Sequence, residues 1–412
     1  MRMPLVVGGA LCIGATFSTP TLANTFEGLG DLPGGMVSSH ATAVSDDGET
    51  VVGWSESANG LEAIRWRSAT GLFGLGDFPG GAFRSRAFDV SADGEVICGD
   101  GLDATTSDGL AFRWTESTGM VPVGDLPGGD VASFALGISS DGTVIVGGSS
   151  DDACGYRPYI WTEASGQVHI ESICANPTSA ECVTRDGNVL AGGALQSFGA
   201  WVWTSDNGVS AFGDLGGGLA HSALQGIADD GLTACGYGAD VTGYRAIRWT
   251  APATITVLPS LPGDVSTAVA TGMTGDGSLI SGYAGNYLAG MEALIWDGDL
   301  NVHCLESLLR ARCIDEASEW ELLTAEDLVG REGTLGVVGD ALKPQGEPEA
   351  YRATLELPLC IEGDLNCDGS IGLSDLIQLL SSWGSDDCPA DINRDGNVGT
   401  QDLLVVLSRW TS

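Results

Sequence analysis

Ala43-Val44-Ser45-Asp46-Asp47-Gly48-Glu49-Thr50-Val51-Val52-Gly53 is two short apolar runs separated by an Asp-Gly turn. Glycine accepts the positive φ such a turn needs, so the stretch reads as an antiparallel hairpin. The turn recurs at Ser91-Ala92-Asp93-Gly94, Ser139-Ser140-Asp141-Gly142, Arg185-Asp186-Gly187, Asp229-Asp230-Gly231 and Gly275-Asp276-Gly277, with a worn seventh copy at Arg331-Glu332-Gly333. The period is about 46 residues.

A tryptophan strand follows each turn: Ile64-Arg65-Trp66, Phe112-Arg113-Trp114, Tyr159-Ile160-Trp161, Trp201-Val202-Trp203, Ile247-Arg248-Trp249 and Leu294-Ile295-Trp296, with Ala350-Tyr351-Arg352 as the seventh. A third anchor, Leu29-Gly30-Asp31-Leu32-Pro33-Gly34-Gly35, returns at Leu75–Gly81 and Val123–Gly129, and more weakly at Phe212–Gly218 and Pro259–Gly263. Read as a fourth strand, it makes four strands per repeat, the pattern of a β-propeller blade. Seven copies predict seven blades over residues 24–357. The last tryptophan-type strand ends near Leu357 with no third anchor after it, and Phe26–Leu32 is a spare one at the start. The expectation is that Phe26–Leu32 completes the last blade, leaving no unpaired edge. An open array or a β-solenoid shares the period but not that closure.

These units resemble the HAF repeats of extracellular bacterial proteins. The family's His-Ala-Phe-x-Trp element matches Glu62-Ala63-Ile64-Arg65-Trp66 and Leu110-Ala111-Phe112-Arg113-Trp114, without its histidine. The resemblance implies fold and export, and little about activity.

The chain closes with a different repeat. Asp364-Leu365-Asn366-Cys367-Asp368-Gly369-Ser370-Ile371-Gly372-Leu373-Ser374-Asp375 and Asp391-Ile392-Asn393-Arg394-Asp395-Gly396-Asn397-Val398-Gly399-Thr400-Gln401-Asp402 match at a spacing of 27 residues. Each carries side-chain oxygens at loop positions 1, 3, 5 and 12 and glycine at position 6, the spacing that surrounds Ca²⁺ with oxygen. The expected ligands of two Ca²⁺ ions are Asp364, Asn366, Asp368, Ser370 and Asp375, and Asp391, Asn393, Asp395, Asn397 and Asp402, with Ser370 and Asn397 binding through their carbonyls. Only an exit helix is legible after each loop: Leu373, Leu376, Ile377, Leu380 and Trp383, then Thr400, Leu403, Leu404, Leu407 and Trp410. Loop-plus-helix units with Asp at position 12 resemble the type I dockerin domain over roughly residues 358–412. That resemblance implies attachment to a cohesin-like partner on a scaffold or cell surface. Where the family often carries Ser-Thr at positions 10 and 11, this chain has Leu373-Ser374 and Thr400-Gln401.

The expected fold is therefore mainly β, a seven-bladed propeller followed by a small α-helical dockerin or half-EF-hand domain. Residues 1–23, an apolar run ending in Thr21-Leu22-Ala23, read as a signal peptide, so the protein is expected to be secreted. Leu11 disfavours a lipoprotein reading through Cys12. A formal net charge of −38 argues against nucleic acid or anionic lipid as a partner, and no further stretch is apolar enough to span a membrane. Among eleven cysteines, Cys174 with Cys182 and Cys304 with Cys313 are local candidate pairs. Cys360 or Cys367 pairs equally well with Cys388. Cys98 and Cys235 hold one place in two repeats and read as buried thiols.

No nucleophile, phosphate-loop or metal-hydrolase motif stands out, and His40, His169, His221 and His303 are scattered. Asp31, Asp77, Asp125 and Asp214 read as turn chemistry, and the tryptophans as packing between blades. Function is expected where the repeat breaks. One break is His169–Pro177. The other is a short helix over Leu305–Cys313, which adds Glu306, Asp315, Glu316 and Glu319. The first reading is a non-catalytic propeller that binds a glycan or protein ligand. The alternative is a carbohydrate-active hydrolase or lyase, for which non-repeating carboxylates at the ring centre would speak.

Overall fold

The computed structural model describes residues 24–104, 108–152, 155–170, 178–195, 199–213, 215–216, 221–261, 267–286, 290–331, 333–359, 363–366, 369–385, 390–393 and 397–410. Residues 1–23, expected to be a signal peptide, lie outside them. Among the described residues the chain is mainly β, with strands in consecutive antiparallel meanders. The first runs Gly34–Val44, Thr50–Ser57, Gly60–Arg67 and Gly71–Gly74. The next five open with the strands Gly80–Val90, Ser133–Ile138, Thr178–Val183, His221–Ile227 and Ala268–Met273. The last opens with Asp327–Arg331 and continues through Thr334–Leu342 to Pro348–Glu356.

The fourth strand of that last meander comes from the other end of the chain. Thr25–Gly28 pairs antiparallel with Pro348–Glu356, placing Phe26 opposite Ala353. The joint uses the same bonds as its counterparts. Ser39 Oγ donates to Gly30 O and accepts from Ala350 N, as Ser85 Oγ does with Gly76 O and Ala63 N and Ser133 Oγ with Gly124 O and Ala111 N. An apolar cluster fills each gap between successive meanders. Another joins last to first, with Val329, Val338 and Ala350 against Ala41, Val44, Val51 and Trp66. Trp66, Trp114, Trp201, Trp249 and Trp296 are buried in these gaps.

One backbone device repeats. In six opening strands the register slips by one residue, after Ala41, Ala87, Ala135, Ala180, Leu224 and Ala270. Each slip is a β-bulge, which turns one side chain out of the ladder. The bulged strand also pushes a carbonyl onto its neighbour, where only glycine fits. A Cβ on Gly53, Gly99 or Gly147 would lie 1.9 Å from the carbonyl oxygen of His40, Arg86 or Phe134. Each Asp-Gly turn is closed by its own aspartate: Asp47 Oδ1 accepts from Ser45 Oγ and Glu49 N, and Asp93 and Asp141 repeat the pattern.

Several expectations shift. The Leu-Gly-Asp segment is the exit from the fourth strand, which ends at Gly28, Gly74 or Pro122, before it. Its leucine still bonds back, Leu75 N to Ala63 O, but Gly76 then adopts a left-handed φ of 82° and leaves the ladder. In the last meander Tyr351 faces Gly339 as Ile64 faces Gly53, so Ala353, not Arg352, takes the place of Trp66. The short helix α1 is Leu305–Arg310, ending before Cys313. Cys98, Cys182, Cys235 and Cys304 are free thiols, so Cys174–Cys182 and Cys304–Cys313 are not bridges. Cys313 is disulfide-bonded to a partner outside the described residues. Cys360, Cys367 and Cys388 also lie outside them.

Helices α2 (Leu373–Ser381) and α3 (Thr400–Ser408) follow the two loops. They pack through Ile371, Leu379, Ala390, Ile392, Val398 and Val406. Among the described residues no helix is long and apolar enough to cross a membrane.

Candidate functional site

The opening strands surround a cavity of about 200 Å³. The bulges aim Thr42, Phe88, Leu136, Glu181, Gln225 and Thr271 into it, and Glu326 lines it from the last meander. Equivalent positions thus carry unlike side chains. The repeat supplies the frame, and the bulge residue varies on it.

Four half-buried carboxylates stand around this channel. Burial, reinforced by Asp327, pushes Asp89 up to about 8. Burial likewise raises Asp327 to about 7 and Glu326, with Asp340 nearby, to about 7. It raises Glu181 too, against the Ser179 hydroxyl that donates to it. Two of the four have structural partners. Asp89 accepts from Val90 N and, in the next meander, Ile138 N; Asp327 accepts from Leu328 N and Val44 N. They tie neighbouring meanders together. Glu181, at a bulge position, and Glu326, just before the opening strand of the last meander, line the cavity.

One mouth lies at the Asp-Gly turns. There Arg185 Nη1 meets Asp46 at 2.5 Å and its Nε meets Asp229 at 2.9 Å. Asp46 belongs to the first meander and Arg185 to the fourth, so this guanidinium spans the opening.

The opposite side is wider. Phe134, Tyr156, Thr178, Ser179, Glu181, Gly193, His221, Ser222, Ala223 and Tyr237 line a pocket of about 340 Å³ shared by the third, fourth and fifth meanders. Glu181 also lines the channel, so the two cavities meet there. The Phe134 and Tyr156 rings lie 5.4 Å apart. His221, Tyr237 and Tyr244 form a triangle of rings 5.3–5.5 Å apart, tied by His221 Nδ1 and the Tyr244 hydroxyl at 2.6 Å. Burial holds His221 below its usual value, so the ring is neutral near pH 7. Across the ring, the His40 ring stacks on Trp54 and its Nδ1 meets Asp340 at 2.9 Å. Burial pulls His40 down, but Asp340 outweighs it and the net shift is upward.

The loops before α2 and α3 are built alike. Gly372 and Gly399 share φ −149° and ψ −155°. Asp375 accepts from Leu365 N, Asn366 N and Gly372 N. Asp402 accepts from Asn393 N and Gly399 N, and Asp364 from Gly369 N. Asp364, Asp375, Asp391 and Asp402 are 0–5 % exposed. Each loop thus folds its last carboxylate back against its first residues, a hard-oxygen set of the kind Ca²⁺ takes. Ser370 and Asn397 are exposed and Asn366 and Asn393 line the same turns; Asp368 and Asp395 lie outside the described residues. Among the described residues no trio of His, Cys, Asp or Glu side chains forms a metal cluster.

Two of the carboxylates expected around α1, Glu306 and Glu316, do not converge. Glu306 pairs with Arg310 on its own helix at 3.9 Å, and Glu316 lines a separate cavity with Asn24, Thr25 and Phe26. His169 lies at the edge of the other break, whose residues 171–177 are outside the described set. Sequence reasoning missed the bulge residues and the aromatic pocket. The signal available was the residue following the alanine, before each Asp-Gly turn, which differs from repeat to repeat.

No protein-family description matches the chain, and no curated protein does. Solved structures do. The puromycin-hydrolysing peptidase of Mycobacterium tuberculosis aligns at TM-score 0.47 and 16% identity, over 75% of this chain and 53% of that one. The β-propeller domain of the trilobed protease of Pyrococcus furiosus aligns at 0.45 and 11%, over 76% and 95%. TolB of Acinetobacter baumannii aligns at 0.38 and 10%, over 75% and 64%. At TM-scores this low the likenesses carry no weight, and the propeller reading rests on the strand pairing.

Proposed function

We propose that this is a secreted protein whose meanders are the blades of a seven-bladed propeller, and that the propeller binds a glycan without transforming it. A dockerin-like module over residues 358–412, carrying two Ca²⁺ ions, attaches it to a cohesin-like partner on a scaffold or cell surface. One observation carries the glycan reading: the pocket walled by Phe134, Tyr156, His221 and Tyr237 beside Ser179 and Glu181. Flat rings offer apolar faces for a sugar's C–H surface, and a few convergent polar groups select among hydroxyls, the usual make-up of a small-ligand pocket. A glycan array probed with the calcium-loaded full chain tests this. Retention of a defined glycan set, lost in Tyr156→Ala and Tyr237→Ala, is expected; no retention, or retention unchanged in both variants, overturns it.

For the module, support comes from the four buried aspartates in two equivalent loops, since buried charge is tolerated when paired or bound to metal. In these loops the chain's carboxylates would hold the ions, and the ions would supply charge compensation. Leu373, Ile377, Leu380 and Trp383 on one helix side, and Leu404, Leu407 and Trp410 on the other, are exposed apolar residues suited to partner docking.

The alternative, a carbohydrate-active hydrolase or lyase, has one observation in its favour. Glu181 and Glu326 are non-repeating carboxyls facing one channel, and both are shifted upward by burial, as a general acid requires. Release of reducing ends from a polysaccharide panel, abolished in Glu181→Gln, would establish that reading over the binding one.

A further inference from the structure

Resting on the glycan reading, we propose that the pocket between the third and fifth meanders selects a sugar bearing a free ammonium group over its neutral counterpart. Three features of the lining lead there. First, the rings: Phe134, Tyr156, His221 and Tyr237 line one space, with Tyr244 edge-on to His221 and Tyr237. An ammonium ion near the face of such a ring is attracted by the ring quadrupole. Second, the charge: Glu181 is the one carboxylate lining the pocket among the described residues, and neither lysine nor arginine lines it. Asp108 and Asp130 add negative potential near Tyr156, where they help raise its hydroxyl. Third, burial lowers His221 and so disfavours a second cation in the pocket. Burial raises Glu181, so its charged form is penalised while no cation faces it; a neutral sugar leaves that penalty in place and an anionic one adds to it. An ammonium group supplies the missing countercharge and satisfies the rings together.

The test is calorimetric titration of the calcium-loaded full chain at pH 6 with three probes: oligomers of β-1,4-linked glucosamine, the same oligomers N-acetylated, and tetramethylammonium chloride. The glucosamine oligomers are expected to bind at least ten-fold tighter than the acetylated ones, with the difference shrinking as salt rises. Glu181→Gln should abolish the preference; should that variant not fold, the salt dependence of the wild-type preference reads the same electrostatic contribution, and a preference unmoved by salt overturns it. Equal binding of both oligomers overturns the ammonium inference and leaves the glycan reading standing. Tetramethylammonium binding as tightly as the glucosamine oligomer keeps the ammonium site and overturns the sugar. Binding of none of the three overturns both.

Discussion

Residues 24–357 bury apolar clusters between meanders from one end of the chain to the other, whereas residues 363–410 bury a single cluster of six apolar residues beside four aspartates. The first region closes on itself with backbone pairing and pays for the half-buried acids of its channel with protons or N–H donors. The second has too little core to carry itself: two nine-residue helices are marginal alone in water, and a module near fifty residues usually needs a staple or a metal. The comparison teaches that aspartate serves two ends: in one region Asp89 and Asp327 accept backbone N–H groups of the neighbouring meander, and in the other, on the proposed reading, aspartates would hold a cation.

The largest effect should come from breaking the closure of the first region. Removing residues 24–32 takes away Thr25–Gly28 and its pairing with Pro348–Glu356, exposing a strand edge and the Leu29 cluster. Loss of a cooperative thermal transition for the β region is expected; a wild-type-like transition would show that the closure contributes little.

Chelation should strike only the second region. With EDTA the helical circular-dichroism signal of α2 and α3 should disappear while the β transition persists, because bound ion stabilises by about 4 kcal/mol when its concentration is ~1,000 times its Kd. Calorimetry should count two Ca²⁺, and Asp364→Ala and Asp391→Ala one each. A helical signal indifferent to chelator breaks the contrast.

Gly147→Ala should lower the stability of the β region by about 3 kcal/mol, since the new methyl meets the Phe134 carbonyl and the bulge must shift. The helical module should be untouched, and denaturant melts followed at two wavelengths separate the two responses.

The pH response is smaller and has a definite sign. Asp89 and Asp327 keep protons in the fold that the unfolded chain releases above about pH 4, so the fold loses stability as pH rises from there to about 8. The slope is at most about 1.4 kcal/mol per pH unit for each group. Asp89→Asn should flatten it; an unchanged slope would mean that Asp89 is ionised in the fold. Smallest of all, Arg185→Ala should cost under about 1 kcal/mol, because its ion pairs are half exposed and screened by solvent. A larger loss, resistant to salt, would mean that this bridge holds the ring.

Much of the frame was legible. Six Asp-Gly turns and six tryptophan strands follow from local patterns that fix φ and alternation and lie where the sequence puts them, and the N-terminal strand pairs with the last meander as expected, over Thr25–Gly28 rather than Phe26–Leu32. The Leu-Gly-Asp segment misled because a leucine that bonds to the ladder and a glycine that leaves it are adjacent, and sequence does not show which rule ends the strand. The last tryptophan position slipped by one residue because no tryptophan marks it; the Tyr351–Gly339 pairing does. The likeness of the two acidic loops was legible because each is one short segment, and Asp375 and Asp402 fold back on their loops in the same way. The pocket was not, because its walls are contributed by meanders some forty residues apart, each side chain unremarkable alone.

The sequence by itself determined the repeat, the turn chemistry, the spare strand and the two acidic loops, since all of these depend on neighbours within a few positions. Only the tertiary structure decided which aspartates brace neighbouring meanders, that Arg185 spans a channel mouth, and that Phe134, Glu181, His221 and Tyr237 meet around one cavity. Those facts depend on how a bulge re-aims one side chain per meander toward a common axis, and on burial that no single segment can set.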